Sequence, residues 1–140
     1  MRNQRNYFII CTSINLLVGN AALLMFPDLT LLHRLLISLF VLMIYFLGFK
    51  YFLQLPKEKN KIRTAGFATL LSLFAMLVAC IFLSIAMRLD IDSVFTAALK
   101  GIVPLFVFSL VFGAPFWIPM AAVNYFCLHK VDAAEKFVKE

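Results

Sequence analysis

The chain has 140 residues, of which 64% are hydrophobic and 14% charged, against about 45–50% and about 25% in soluble domains. Its 16 phenylalanines leave too few polar residues to cover a water-facing surface, which excludes a soluble globular domain and points to the bilayer as solvent. The net charge of +6 comes from short Lys and Arg runs between apolar stretches rather than from a basic face, so no nucleic-acid partner is expected.

A spanning helix needs about 20 mostly apolar residues, and four stretches supply them. The first runs from Tyr7 to Phe26 and is closed by Pro27-Asp28. Arg2, Arg5, Gly19 and Ala21 give it the look of a signal peptide, but the apolar run continues through Leu23 to Phe26, so a retained span is predicted. The second covers about 31–53, with His33 and Arg34 in its first turn and Lys50 in its last. A polar loop, 54–63, leads to the third, Thr64 to Met87. Asp92 and Ser93 are good N-caps, and Gly101 followed by Pro104 can close a helix. A short helix over Val94–Lys100 is therefore expected on the membrane surface. The fourth span then opens at Pro104, where a first-turn proline costs little, and ends near Cys127 before the tail 128–140. The alternative is one long tilted helix from Ser93 onward. The expected fold is a single all-α integral membrane domain over 1–140: a four-helix transmembrane bundle with an interfacial helix before the fourth span.

Orientation follows from the Lys and Arg of the short loops. Arg2, Arg5, Lys50, Lys57, Lys59, Lys61, Arg63, Lys130, Lys136 and Lys139 fall on one side, and only Arg34, Arg88 and Lys100 on the other. Ten against three puts both termini in the cytoplasm of a bacterial-type inner membrane. No period of 20–50 residues repeats, and the two halves do not resemble each other.

Helices in lipid associate through small side chains. The third span carries Ala65, Ala68, Ser72, Ala75, Ala79 and Ala86 at near-heptad spacing, a seam suited to a crossing angle of about +20°. Thr12, Asn15, Gly19 and Ala22 form a shorter stripe on the first span. Both are expected to face inward; a homodimer through the same seam is the rival reading. The fourth span is irregular at Gly113-Ala-Pro115-Phe-Trp117-Ile-Pro119. Each proline removes a backbone donor, so the carbonyls of Val111 and Pro115 lose their usual partners, which hydrocarbon cannot replace. At 1.5 Å rise per residue, Asn15 lies about 12 Å deep and Trp117 about 15 Å, so the Asn15 amide is expected to reach this break. Asn15, Gly113, Pro115, Trp117, Pro119 and Asn124 are the ligand- or partner-binding candidates, and Ala68, Ser72, Ala75 and Ala79 the packing seam. The break is otherwise a kink that only shapes the bundle.

Chemistry-bearing residues are sparse. No ionisable residue falls between the ends of the spans, where proton relays place theirs. His33 and His129 fall on opposite faces and cannot share a metal. Cys11, Cys80 and Cys127 form no CxxC and read as small buried residues. No catalytic set, metal or cofactor is expected; Asp28, Asp90 and Asp92 beside His33, Arg34 and Arg88 read as a solvated ion-pair surface.

The leading expectation is a small inner-membrane protein that binds another integral membrane protein by helix–helix contact, as an accessory subunit, a regulator or an immunity protein against a membrane-inserting toxin. Four spans with both ends inside resembles the layout of one class of colicin immunity proteins, in architecture and without a shared motif. The second expectation is a small oligomeric transporter or channel for an uncharged or amphipathic solute, built on the fourth-span break. A lipid-modifying enzyme is third. Membrane lipids, which the basic loop Lys57–Arg63 suits, are expected neighbours in each case.

Overall fold

A computed structural model describes residues 2–54, 61–88 and 93–137, and the side chains of 6–52, 54, 61–88 and 93–130 within them. The expectations for most of the 54–63 loop, for Asp90 and Asp92, and for the end of the tail lie outside the described residues. All the described regular structure is helical: α1 (Arg2–Leu23), α2 (Leu31–Gln54), α3 (Lys61–Arg88), α4 (Val94–Phe112) and α5 (Ala114–Phe137). Four of these, over Asn6–Leu23, Leu31–Phe52, Lys61–Arg88 and Val94–Phe112, are long and apolar enough to cross a membrane.

The connection after α1 follows from Pro27. The helix tightens into three-residue turns, Met25 N–H donating to Ala22 O and Phe26 N–H to Leu23 O, a common way for a helix end to satisfy its last carbonyls. Thr30 then caps α2, its Oγ1 accepting from His33 N–H at 3.4 Å, and Arg34 Nη2 donates back to Phe26 O at 3.3 Å. α1 packs on α2 and α5, and α3 packs on α2, α4 and α5. Edge-to-face contacts of Phe8 with Phe46 and Phe49 join the start of α1 to the end of α2. Phe52 and Phe67 join the end of α2 to the start of α3, so neighbouring helices run antiparallel. Tyr45 and Leu128 are fully buried among the helices, while Leu17, Leu31, Leu70 and Phe95 stand outward more than 60% exposed. An apolar outer face of this kind suits a hydrocarbon solvent.

The fourth apolar segment differs from expectation. Ser93 caps α4, its Oγ accepting from Thr96 N–H, but the helix does not stop at Gly101 or restart at Pro104. It continues to Phe112, and the break falls at Gly113. The long tilted helix is thus the nearer description as far as Phe112. Gly101 is a contact residue: Ser84 Oγ donates to Ala97 O, and a Cβ on Gly101 would collide with that hydroxyl. Pro104 sits exposed on the outer side of α4, where its ring displaces no neighbouring helix. Along α3, Ser84 and Cys80 are one turn apart, about 6 Å. Their partners on α4, Ala97 and Ser109, are three turns apart, about 18 Å. α4 therefore crosses α3 obliquely over the glycine.

Gly101→Leu drives a branched side chain into Ser84, and overpacking typically costs about 1–3 kcal/mol. The melting temperature in detergent and the folded yield should both fall. Gly66→Ala, where an added Cβ meets nothing within 4 Å, should leave both unchanged. Equal melting of the two variants would contradict the α3–α4 contact.

Candidate functional site

The helix break organises the site. Gly113 takes φ −83° and ψ 0°, and its N–H donates to Ser109 O at 3.0 Å, ending α4. A Cβ here would meet the Ser109 carbonyl, which accounts for the glycine. Its own carbonyl accepts from Phe116 N–H at 2.8 Å and Trp117 N–H at 3.0 Å, starting α5 as an N-cap carbonyl does. Pro115, in the first turn of α5, has no N–H to return to α4. The Trp117 indole reaches back one residue before the Val111 carbonyl that Pro115 would have served, Nε1 donating to Leu110 O at 3.1 Å. One side chain thus satisfies both its own donor and a carbonyl at the break.

Asn15 does not reach the break; it pairs with Asn124. Asn15 Nδ2 donates to Asn124 Oδ1 at 2.6 Å, and the Cys11 thiol approaches the same oxygen at 3.3 Å. Asn124 Nδ2 donates to Ser72 Oγ at 2.7 Å, and Ser72 Oγ donates to Ala68 O at 3.0 Å. Asn15 and Asn124 are both fully buried. The chain of bonds ties α1, α5 and α3 together at one level, with the buried Tyr45 hydroxyl of α2 beside Asn124 and Ser72. Sequence reasoning overlooked Cys11 and Tyr45 as members of this group. A polar residue within an otherwise apolar span is the available signal, and Tyr45 carries it.

Between this polar cluster and the break lies an open-mouthed cavity of about 120 Å³. α1 contributes Asn15, Gly19, Asn20 and Ala22 to its wall; α2 contributes Ile37, Ser38 and Val41; α3 contributes Ala75, Ala79 and Leu83. Ser109, Gly113, Phe116, Trp117 and Met120 close it on the α4–α5 side. The small residues of α3 grade from contact to wall: Ala68 and Ser72 are buried in helix contact, Ala75 is buried where it also borders the cavity, and Ala79 is half-buried on the wall. Nothing lies within 4 Å of a Cβ built on Gly19. Of the binding candidates, Asn15, Gly113 and Trp117 line the cavity, Asn124 holds Asn15 from behind, and Pro115 and Pro119 are exposed on the far side of α5.

The wall carries no acid and no base. The polar pair Asn20–Ser38 is mutually satisfied, Asn20 Nδ2 donating to Ser38 Oγ at 3.0 Å and Ser38 Oγ to Asn20 Oδ1 at 3.2 Å. All three cysteines are buried and free. Among the described residues, no three His, Cys, Asp or Glu side chains converge as metal ligands do. No known family pattern matches the chain, and neither a curated protein nor a solved structure is detectably similar to it.

Because the Asn15–Asn124 pair is buried, removing either amide strands groups on the other. In a double-mutant cycle, Asn15→Leu and Asn124→Leu should couple by about 0.6–1.7 kcal/mol, the range of interhelical hydrogen bonds in membranes. Unfolding in mixed micelles measures it; strictly additive losses would contradict the pairing.

Proposed function

We propose that this chain is an integral protein of a bacterial-type inner membrane, crossing the bilayer four times as a bundle with both termini cytoplasmic. Within it, the chain binds an uncharged, amphipathic molecule between its helices. The observation that carries this reading is the cavity at the Gly113 break. Its wall is apolar with a few placed polar groups, the make-up of small-molecule sites. A charged guest would lose its hydration without gaining a counter-ion there. α4 and α5 form the fourth crossing together in this reading, because α5 carries His129, Lys130, Asp132, Glu135 and Lys136 in its second half and emerges at the cytoplasmic face. The binding step is what a small carrier for such solutes needs, with no proton-coupling residue required.

Partner binding by helix–helix contact is the second reading, and α4 favours it. Only Ala97 and Gly101 of that helix are buried, and Phe95, Leu99, Val103 and Val107 stand exposed along it. An accessory subunit, a regulator or a toxin-blocking protein would use this face.

Two measurements test the proposal. A reporter active only in the cytoplasm should work when fused after Asn60 and at Glu140, and fail after Asp28 and after Asp92; activity after Asp92 would break the four-span topology. In nanodiscs, Gly19→Phe places a ring in the open space of the cavity. It should weaken binding of an environment-sensitive uncharged fluorophore by tenfold or more while folded yield holds. Unchanged binding would remove the cavity from the function and favour the partner reading.

A further inference from the structure

Every strong hydrogen-bond donor on the cavity wall is already committed within the protein. Asn20 Nδ2 donates to Leu16 O at 2.8 Å and to Ser38 Oγ at 3.0 Å, which uses both of its protons. The Ser38 hydroxyl returns to Asn20 Oδ1 at 3.2 Å, and the Trp117 indole holds Leu110 O. Asn15 is fully buried, and its Nδ2 faces Asn124 Oδ1 at 2.6 Å and Cys11 Sγ at 3.5 Å. Ser109 Oγ lies 3.4 Å from Cys80 Sγ. With the hydroxyl as the stronger donor, what is left over is the thiol proton of a buried cysteine, a weak donor. The backbone adds none. Phe26 N–H goes to Leu23 O, Gly113 N–H to Ser109 O, and Phe116 and Trp117 N–H to Gly113 O. The other lining residues lie past the first turn of their helices, where each N–H bonds along the helix.

An acceptor carried into this space therefore meets no strong donor, and burying a carbonyl or ether oxygen unanswered is costly. Hydrocarbon carries no such penalty against Ile37, Val41, Leu83 and Phe116. Size sets the second limit. At about 120 Å³, the cavity is no larger than an engineered apolar cavity of ~150 Å³ that holds one benzene. It encloses one segment of an amphipathic molecule, and the remainder stays outside the mouth. Leu17, Leu24, Leu70 and Phe112 stand outward and exposed. On the membrane reading they face lipid chains, which outnumber any free small hydrocarbon and fill the cavity by mass action.

We propose that the cavity takes the unsubstituted end of a hydrocarbon chain belonging to a neutral membrane lipid, with the polar end of that lipid outside the mouth. Recognition is by shape and by the lack of free donors, so a chain bearing an oxygen near its end is turned away. The inference rests on the binding function proposed above and names the part of the guest that the cavity holds.

The test uses the full chain in nanodiscs doped with one of three photoreactive monoacylglycerols of equal chain length. The first carries a diazirine near the chain end, the second adds a ketone beside that diazirine, and the third has the diazirine next to the glycerol. Labelled residues are mapped by mass spectrometry. Labelling of Met76 and Ala79 on the wall is divided by labelling of the exposed Leu17 and Phe74, which corrects for the depth and reactivity of each probe. The first probe should give a ratio about tenfold above the second, the discrimination of one unanswered acceptor against hydrocarbon, and should exceed the third as well. Equal ratios for the first and second would overturn the hydrocarbon selectivity. Equal ratios for the first and third would overturn the end-first placement. Either result leaves the binding function standing. Failure of all three to label the wall would overturn the binding function and this inference with it.

Discussion

A polar group placed in hydrocarbon has no water to turn to, so each one must be answered from within the protein. With four helices long and apolar enough to cross a bilayer, that constraint orders the chain on the membrane reading proposed above. The break at Gly113 and Pro115 disrupts helical pairing, and the Trp117 indole returns to Leu110 O. Two asparagines in otherwise apolar helices find each other across α1 and α5, and the second passes the bond to α3 through Ser72. Each satisfaction is also a tether. On that reading, helices that lipid gives little reason to associate are fixed in level and rotation by the polar groups that pair between them.

The cavity follows from these tethers. The polar cluster draws α1, α3 and α5 together at one level, and the break at Gly113 separates α5 from α4, which meets α3 at Gly101 and Ala97. Between the two, the small residues of α1 and α3 have nothing large opposite them. Gly19, Ala22 and Ala79 consequently line space instead of filling it. The same residue types that bring helices into contact at Ala68 and Ser72 line a pocket further along α3. Asn15 stands at the boundary of the two regions, its Nδ2 committed to the cluster.

The first three helices were legible because long apolar runs end at strong signals: Pro27-Asp28, the basic run 57–63, and Arg88. The fourth was less so. Gly101 and Pro104 have the composition of a helix end, yet Gly101 is needed for contact with Ser84 and Pro104 is carried on an exposed face. A local pattern cannot distinguish a glycine that ends a helix from one that admits a neighbour. Asn15 and Trp117 stood out in the sequence as polar groups at depth, and depth alone suggested they meet. Rotation about the helix axis decides otherwise: Asn15 faces Asn124, and Trp117 serves its own helix break. The cavity had no sequence signature, since an alanine seam reads the same whether the opposite helix approaches or turns aside.

The central claim, that the space between these helices holds an uncharged guest, is tested most directly by native mass spectrometry of the full chain released from gently extracted membranes. The account requires a neutral molecule of lipid-like size retained at one per cavity, resistant to moderate collisional activation, and absent from protein whose cavity is filled by Gly19→Phe. A bare chain, or one carrying the same lipids whether or not the cavity is filled, would contradict it.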